Sequence, residues 1–107
     1  MAASGTKADR EQLLIGLRLK DMRAQYGYTL EQVAERLEVS ASYLSNIECG
    51  RKPPSLELLV RAAKAFDISL DYLVLGRREP TQGGFLVFHT DEELLKTMAA
   101  AAGSVMA

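Results

Sequence analysis

Two short helices separated by only about three residues set the topology of this 107-residue chain. Thr29 is placed to cap the first of them, because Gln32 follows three residues later and completes a capping box. Leu37 is its last apolar residue, and Ser40 is already positioned to cap the next helix. Helices joined by so short a turn must cross steeply, so they touch over a small area that needs apolar residues at fixed positions.

The residues at the predicted crossing meet that requirement. Ala34 is small where the two helices come closest, and the apolar residues around it are Val33, Leu37, Val39, Leu44 and Ile47. This spacing predicts a helix-turn-helix, in which the second helix projects from the body of the domain. A generic antiparallel helix hairpin is the alternative, but it would not need all of these positions and both caps to agree.

The second of these helices has too little to bury for a core helix. Within SASYLSNIECGRKPPS (residues 40–55), only Leu44 and Ile47 are firmly apolar and helically spaced. A helix in an ordinary core shows a wider apolar stripe. The remaining positions carry short polar side chains, which must face something other than the interior: Ser42, Ser45 and Asn46.

Three further helices complete an all-α domain predicted over residues 6–76, after a disordered segment at residues 1–5. The first ends at Tyr26, and Ser55 and Ser69 cap the fourth and fifth. The residues expected to be buried on these helices are Ile15, Leu19, Met22, Tyr26, Leu56, Leu59, Ala63, Phe66, Leu70 and Leu73.

The composition changes after the fifth helix. Residues 77–84 (RREPTQGG) have the composition of a linker, and Phe85–His89 is a short apolar run of strand-like residues. TDEE at residues 90–93 is a capping box, and an alanine-rich helix follows it up to Gly103. Residues 85–107 are therefore predicted to form an appendage of one strand and one helix.

Charge is unevenly distributed, although the net charge is only −1. Residues 15–78 hold ten basic and eight acidic residues, and the chain after Arg78 holds one basic and four acidic residues. The middle is mildly basic and the tail is acidic, and no polybasic segment exists that would bind any polyanion.

The sequence contains no motif that indicates an enzyme active site or a metal site. His89 and Cys49 are the only residues of their kinds, and neither has a catalytic partner nearby in the pattern; the acidic residues 91–93 fit cap and helix-dipole roles. Zinc would have too few ligands, and no glycine-rich phosphate loop is present. We predict no enzyme activity, no metal and no cofactor.

The expected compartment is the cytoplasm. A single cysteine excludes an intrachain disulfide and fits a reducing interior. The N-terminus lacks the apolar segment of a signal peptide, and no apolar run approaches the ~20 residues that span a bilayer.

Three stretches of the chain together resemble a known family. They are IGLRLKDMRAQYGYTLEQVAERL, VSASYLSNIECGRKPPSLELL and AKAFDISLDYL, which run from Ile15 into the fifth helix. They are similar to the Cro and phage-repressor (XRE-like) type of helix-turn-helix domain, a five-helix, lambda-repressor-like module that binds DNA. The resemblance implies a transcriptional regulator, most often a repressor that occupies a palindromic operator in double-stranded DNA.

The resemblance also implies roles for individual residues. A recognition helix in the major groove reads base edges, which assigns base reading to Ala41, Ser42, Ser45 and Asn46. In the family an arginine of the first helix pairs with a glutamate near the end of the recognition helix, and Arg23 and Glu48 occupy those places. Contacts to the DNA backbone are expected from Thr29, Ser40, Tyr43, Arg51 and Lys52. Tyr43 is equally suited to shield the edge of the core.

Three positions depart from the family pattern. Leu30 stands where many members have a glutamine that braces the recognition helix and contacts DNA. Glu38 stands in a tight turn where glycine is usual, and a left-handed residue other than glycine costs about 1 kcal/mol. Ala41 lacks a long polar side chain. These departures leave the operator sequence open and predict modest affinity for each monomer.

Modest affinity favours a dimer. An isolated strand such as Phe85–His89 needs a partner, and pairing with a second copy gives a two-fold homodimer with recognition helices one DNA turn apart, about 34 Å. The residues predicted at this interface are Phe85, Leu86, Val87, Phe88, Leu94 and Leu95, with Leu13, Leu14 and Leu17 around them. The alternative is a tail that folds back on its own domain.

A different function is also open. The same fold serves as a protein-interaction module, or as an antitoxin-type regulator whose tail binds a partner protein, with little sequence-specific reading of DNA. The near-neutral net charge is compatible with that alternative.

Overall fold

The computed structural model describes residues 7–77 and 89–97. Within these ranges the chain is helical and has no strand, which confirms the all-helical prediction for them. The helices are α1 (Lys7–Tyr26), α2 (Leu30–Leu37), α3 (Ala41–Glu48), α4 (Leu56–Phe66), α5 (Asp71–Leu75) and α6 (residues 91–97). The predicted disordered segment at residues 1–5 lies outside the described residues, as do the predicted linker at residues 77–84 apart from Arg77 and the predicted strand at residues 85–89 apart from His89.

Side-chain caps begin the helices where the sequence predicts them. The backbone N–H of Gln32 donates to Thr29 Oγ1 at 3.1 Å, and the backbone N–H of Thr29 donates to Gln32 Oε1 at 2.9 Å. Three serines accept a backbone N–H from three residues further on in the same way: Ser40, Ser55 and Ser69. Each of these bonds is local, so the sequence alone is sufficient to place the helix starts.

Residues from α1 to α5 build the main core. Leu19, Met22, Phe66 and Leu73 are buried in it as expected, and Ile15, Tyr26 and Ala63 are half-buried against it. Leu56 and Leu70 are corrections to that expectation, because 73% and 39% of their surfaces are exposed. The buried stripe of α4 runs through Leu58, Leu59, Ala62 and Phe66. Helical periodicity places the centre of that stripe roughly a quarter of a turn from Leu56, so Leu56 lies at its side and not on it.

The fifth helix differs from an ordinary α-helix. α5 is a single turn with π-helical hydrogen bonds. Two carbonyl oxygens near its C-terminal end, those of Leu73 and Val74, accept from Nη1 of Arg18 at 3.0 and 3.2 Å. The last carbonyls of a helix need partners from outside the helix, and here α1 supplies the donor. Because Arg18 precedes Leu73 by 55 residues, the local pattern could not predict this arrangement.

A second, smaller core joins the tail to α1. Leu94 of α6 is buried together with Leu14 and Leu17, and Leu13 and Leu95 pack at its edge. The part of the tail that the structure describes therefore folds back on its own domain, the alternative that the sequence left open. Whether a second copy joins at this face stays a prediction.

Polar contacts fasten the same helix. The side chain of Arg18 is only 1% exposed, and its Nη2 lies 2.7 Å from Oδ1 of Asp91 at the start of α6. Nδ1 of His89 lies 2.8 Å from Oδ2 of Asp21. A buried guanidinium needs a counterion, so α6 completes the environment of a residue inside the domain.

The turn between α2 and α3 contains a left-handed residue with a side chain. Glu38 has φ 62° and ψ 42°, as the sequence led us to expect at this position. Its backbone N–H donates to the carbonyl oxygen of Glu35 at 3.1 Å, so the strained residue closes α2.

Replacing Glu38 by glycine is therefore expected to raise the free energy of unfolding by up to about 1 kcal/mol, because glycine adopts this backbone without the steric cost. Urea unfolding of the purified variant measures the gain. Asp67→Gly is the matched control, since Asp67 ends α4 with φ 56°. Aspartate tolerates the left-handed region better than glutamate does, so Asp67→Gly should raise the free energy of unfolding by less than Glu38→Gly. A loss of stability in Glu38→Gly would contradict the assignment of strain.

Candidate nucleic-acid interface

Helix α3 presents a short polar face to the surface. Leu44, Ile47 and Glu48 are buried, and they hold the helix against the rest of the domain. Ser42 is exposed, and the other three residues proposed to read bases are half-buried: Ala41, Ser45 and Asn46. The structure thus brings all four onto a helix that leaves part of its surface free.

A glycine in α1 lets α3 approach closely. A Cβ built on Gly16 would lie 2.2 Å from the carbonyl oxygen of Ile47 and 3.0 Å from that of Glu48. Both of these atoms belong to the backbone, so they cannot move aside as a side chain would. Sequence reasoning did not identify Gly16. The available signal was a glycine in a long helix, where it costs roughly 1 kcal/mol relative to alanine and so calls for a packing reason.

An ion pair fixes the C-terminal end of α3. Nε of Arg23 lies 2.9 Å from Oε2 of Glu48, and Nη2 lies 3.0 Å from Oε1. Nη1 of Arg23 also donates to the carbonyl oxygen of Tyr28 at 3.1 Å. Glu48 is only 5% exposed, and its hydrogen bond and its charge raise the pKa of Arg23. This bidentate pair therefore ties α3 both to α1 and to the chain that enters α2.

The turn after α3 carries exposed basic residues. The backbone N–H groups of Arg51 and Lys52 donate to the carbonyl oxygen of Asn46 at 2.9 and 3.4 Å. Both side chains are exposed. Nε of Arg51 also lies 3.3 Å from Oδ1 of Asn46, a contact that the sequence did not suggest. The two groups with proposed roles on bases and phosphates are therefore direct neighbours.

That contact orients the amide of Asn46. Bidentate bonding to adenine uses the amide oxygen as an acceptor and the amide nitrogen as a donor. Because a carbonyl oxygen has two lone pairs, it can accept from Arg51 and from a base at the same time. Arg51 thus holds the amide with its nitrogen free to donate.

The remaining proposed DNA contacts surround α3. Thr29 and Ser40 are exposed and cap α2 and α3, and their hydroxyl oxygens accept backbone N–H groups. Tyr43 is half-buried and packs on the main core, which fits its alternative role of shielding the core edge. Leu30 is likewise half-buried against the core. Leu30 therefore contributes packing at a position where a glutamine would contribute hydrogen bonds.

The predicted dimer residues are only partly covered by the structure. Phe85, Leu86, Val87 and Phe88 lie outside the described residues. Leu94 is buried by its own α1, and Leu95 is half-buried at the edge of that contact. In the described part of the chain, Cys49 is free and exposed, and no three metal-binding side chains come together. No helix in that part is long and apolar enough to cross a membrane.

Comparison with known proteins gives consistent matches. A family model described as helix-turn-helix matches residues 19–73. The transcriptional regulator SinR of Bacillus subtilis is 35% identical over 74 residues, which cover 68% of this chain and 67% of SinR. The regulator ImmR of the same species is 37% identical over 65 residues, which cover 61% of this chain and 50% of ImmR. The chain thus matches about half the length of ImmR.

A solved structure extends this likeness to the fold. The clp gene regulator ClgR from Corynebacterium glutamicum superimposes with a TM-score of 0.58 and 30% sequence identity. The match covers 88% of this chain and 82% of that one.

Proposed function

Because this chain belongs to the XRE-type helix-turn-helix family of DNA-binding transcriptional regulators, we propose that it is a repressor that binds a palindromic operator as a homodimer. The observation that carries this proposal is the outward face of α3, whose short polar side chains are not needed for the core. Such a face suits the major groove, where base edges present donors and acceptors at close range.

In this proposal α3 reads bases and its surroundings hold the DNA backbone. Asn46 bonds adenine, Ser42 and Ser45 donate to or accept from several bases, and Ala41 touches a thymine methyl group. The DNA backbone is bound by the exposed hydroxyls of Thr29 and Ser40 and by the basic side chains of Arg51 and Lys52. The half-buried ring of Tyr43 contributes where its edge reaches the sugar–phosphate chain.

Dimerisation would place two recognition helices about 34 Å apart on one side of the duplex. The apolar residues of the tail are the proposed contact, with Phe85, Leu86, Val87 and Phe88 at its centre. Leu94 packs on α1 of its own chain, so it would support such a dimer by holding α6 on the domain. Leu95 at the edge of that cluster is the described residue best placed to meet a second copy.

Selection of bound duplexes from a random library tests the proposal. The full chain is used at near-physiological salt. Enrichment of an inverted repeat with half-sites about one turn apart supports a sequence-specific dimer and supplies its operator. A single enriched half-site supports base reading and contradicts the dimer. Salt-sensitive binding without any enrichment contradicts base reading and favours the protein-interaction alternative.

Variants of α3 and of the following turn separate reading from anchoring. Arg51→Ala combined with Lys52→Ala should weaken binding to every duplex, and it should flatten the log–log salt dependence by roughly 0.9 for each phosphate that is no longer bound. Asn46→Ala should change which sequences bind, with a cost of about 1–3 kcal/mol confined to the preferred base. Fluorescence anisotropy titrations over a salt series measure both effects. Equal weakening by Asn46→Ala on all duplexes would contradict base reading at this position.

A further inference from the structure

The N-terminal half of α1 contacts the basic turn although it lies outside the segment that the family model matches, residues 19–73. Nε2 of Gln12 donates to the carbonyl oxygen of Gly50 at 2.9 Å. Leu13 lies beside the same glycine, since a Cβ built on Gly50 would be 3.0–3.3 Å from atoms of Leu13. Two consecutive residues of α1 therefore touch the backbone just before Arg51 and Lys52.

These contacts restrain the backbone at Gly50, which α3 alone holds only in part. Gly50 has φ 77°. Glycine adopts this conformation freely, but it adopts many other conformations just as readily. The carbonyl oxygen of Asn46 holds the N–H groups that follow Gly50. Gln12 holds the carbonyl group of Gly50 itself, 38 residues away in sequence, and anchors it to a long helix. The turn is thus held by α3 through Asn46 and by α1 through Gln12.

We propose that Gln12 is a positioning residue for DNA binding. Its hydrogen bond holds the carbonyl end of the Gly50–Arg51 peptide group, whose N–H end is held by Asn46. The side chains of Arg51 and Lys52 therefore leave the domain in the direction set by the face of α3. Without this bond the turn samples further orientations, and in some of them a basic side chain no longer reaches its phosphate. A turn that is already ordered keeps both contacts and gains affinity, because binding does not have to order it. The inference rests on the proposed phosphate contacts of Arg51 and Lys52.

Gln12→Met tests this directly, because methionine has a similar length and cannot donate to the carbonyl oxygen. Gln25→Met is the matched control: Gln25 lies on the same helix, is also half-buried, and donates to Asp21 within α1. Arg51→Ala combined with Lys52→Ala serves as the reference for a turn without basic side chains. Each protein is titrated with the same duplexes over a salt series, and its unfolding free energy is measured separately.

The expected result is a two- to tenfold loss of affinity in Gln12→Met, about the worth of one hydrogen bond, on all duplexes alike. The salt dependence should also become flatter, by up to roughly 0.9 for one phosphate. A purely structural role would only lower the folded fraction and leave that slope unchanged. Gln25→Met should bind with the affinity and slope of the unaltered protein.

Two outcomes overturn the inference. Gln12→Met with an unaltered slope, beside a flattened slope in the double variant, would remove the role of Gln12 and leave the proposed phosphate contacts intact. A double variant that binds with the same slope as the unaltered protein would contradict the phosphate contacts and the inference together.

Discussion

Replacing Gly16 by alanine is expected to lower the free energy of unfolding by about 3 kcal/mol or more. The added Cβ would lie 2.2 Å from the carbonyl oxygen of Ile47, so α1 and α3 must move apart. Overpacking of a well-filled interior typically costs about 1–3 kcal/mol, and here the obstacle is rigid backbone. The same movement changes the position of α3 relative to the rest of the domain, so the affinity for DNA should fall as well.

The sign of this effect is diagnostic. On helix propensity alone, glycine to alanine in a helix should stabilise the chain by about 1 kcal/mol. Gly27→Ala provides the comparison, because a Cβ at Gly27 would meet nothing within 4 Å and only the positive φ of 78° opposes it. Its expected cost is about 1–2 kcal/mol. Denaturant unfolding of both variants decides the matter, and a more stable Gly16→Ala would refute the close approach of the two helices.

Replacing Glu48 by leucine is expected to cost about 3–5 kcal/mol, because it leaves the partly buried guanidinium of Arg23 without its counterion. The loss comes from desolvation of Arg23 and not from packing, since leucine fills a similar volume. Adding Arg23→Met should therefore recover most of the stability. A double-mutant cycle of unfolding free energies measures this coupling.

An exposed pair on the surface supplies the control for that cycle. Nη2 of Arg61 lies 2.8 Å from Oε2 of Glu57, yet the Glu57 side chain is 73% exposed. Glu57→Leu should cost less than about 1 kcal/mol, as exposed pairs usually do. Similar losses in Glu48→Leu and Glu57→Leu would show that burial does not distinguish these two pairs.

Features that depend on residues close in sequence were predicted, whereas most features that depend on residues far apart in sequence were missed. The caps at Thr29 and Ser40 depend on residues three apart, so the local sequence contains them, whereas the left-handed turn at Glu38 was expected from the family resemblance. The helix-turn-helix followed from those local signals and from the apolar spacing between them. Leu56 was misplaced because a residue at the start of a helix takes its direction from the phase of the stripe that follows.

Most of the missed features join distant segments. Gly16 meets the end of α3, Gln12 reaches Gly50 across 38 residues, and Arg18 reaches Asp91 across 73. No local pattern distinguishes Gln12 and Arg18 from others on α1, because a glutamine or an arginine on a helix is ordinarily solvated. The basic turn itself was predicted from resemblance, and its brace became visible only when α1 and α3 were seen together.

The pairing of Arg18 with Asp91 also bears on the order in which the molecule is completed. A ribosome makes Arg18 and the whole of α1–α5 before it reaches Asp91, which follows the end of α5 by 16 residues and so by about 1–3 s at usual rates of synthesis. Throughout that interval the guanidinium has two carbonyl oxygens of α5 as partners and lacks the carboxylate of Asp91. The nascent domain therefore lacks the carboxylate partner of Arg18 until its last described helix has been made, and only then are all the contacts of this guanidinium complete.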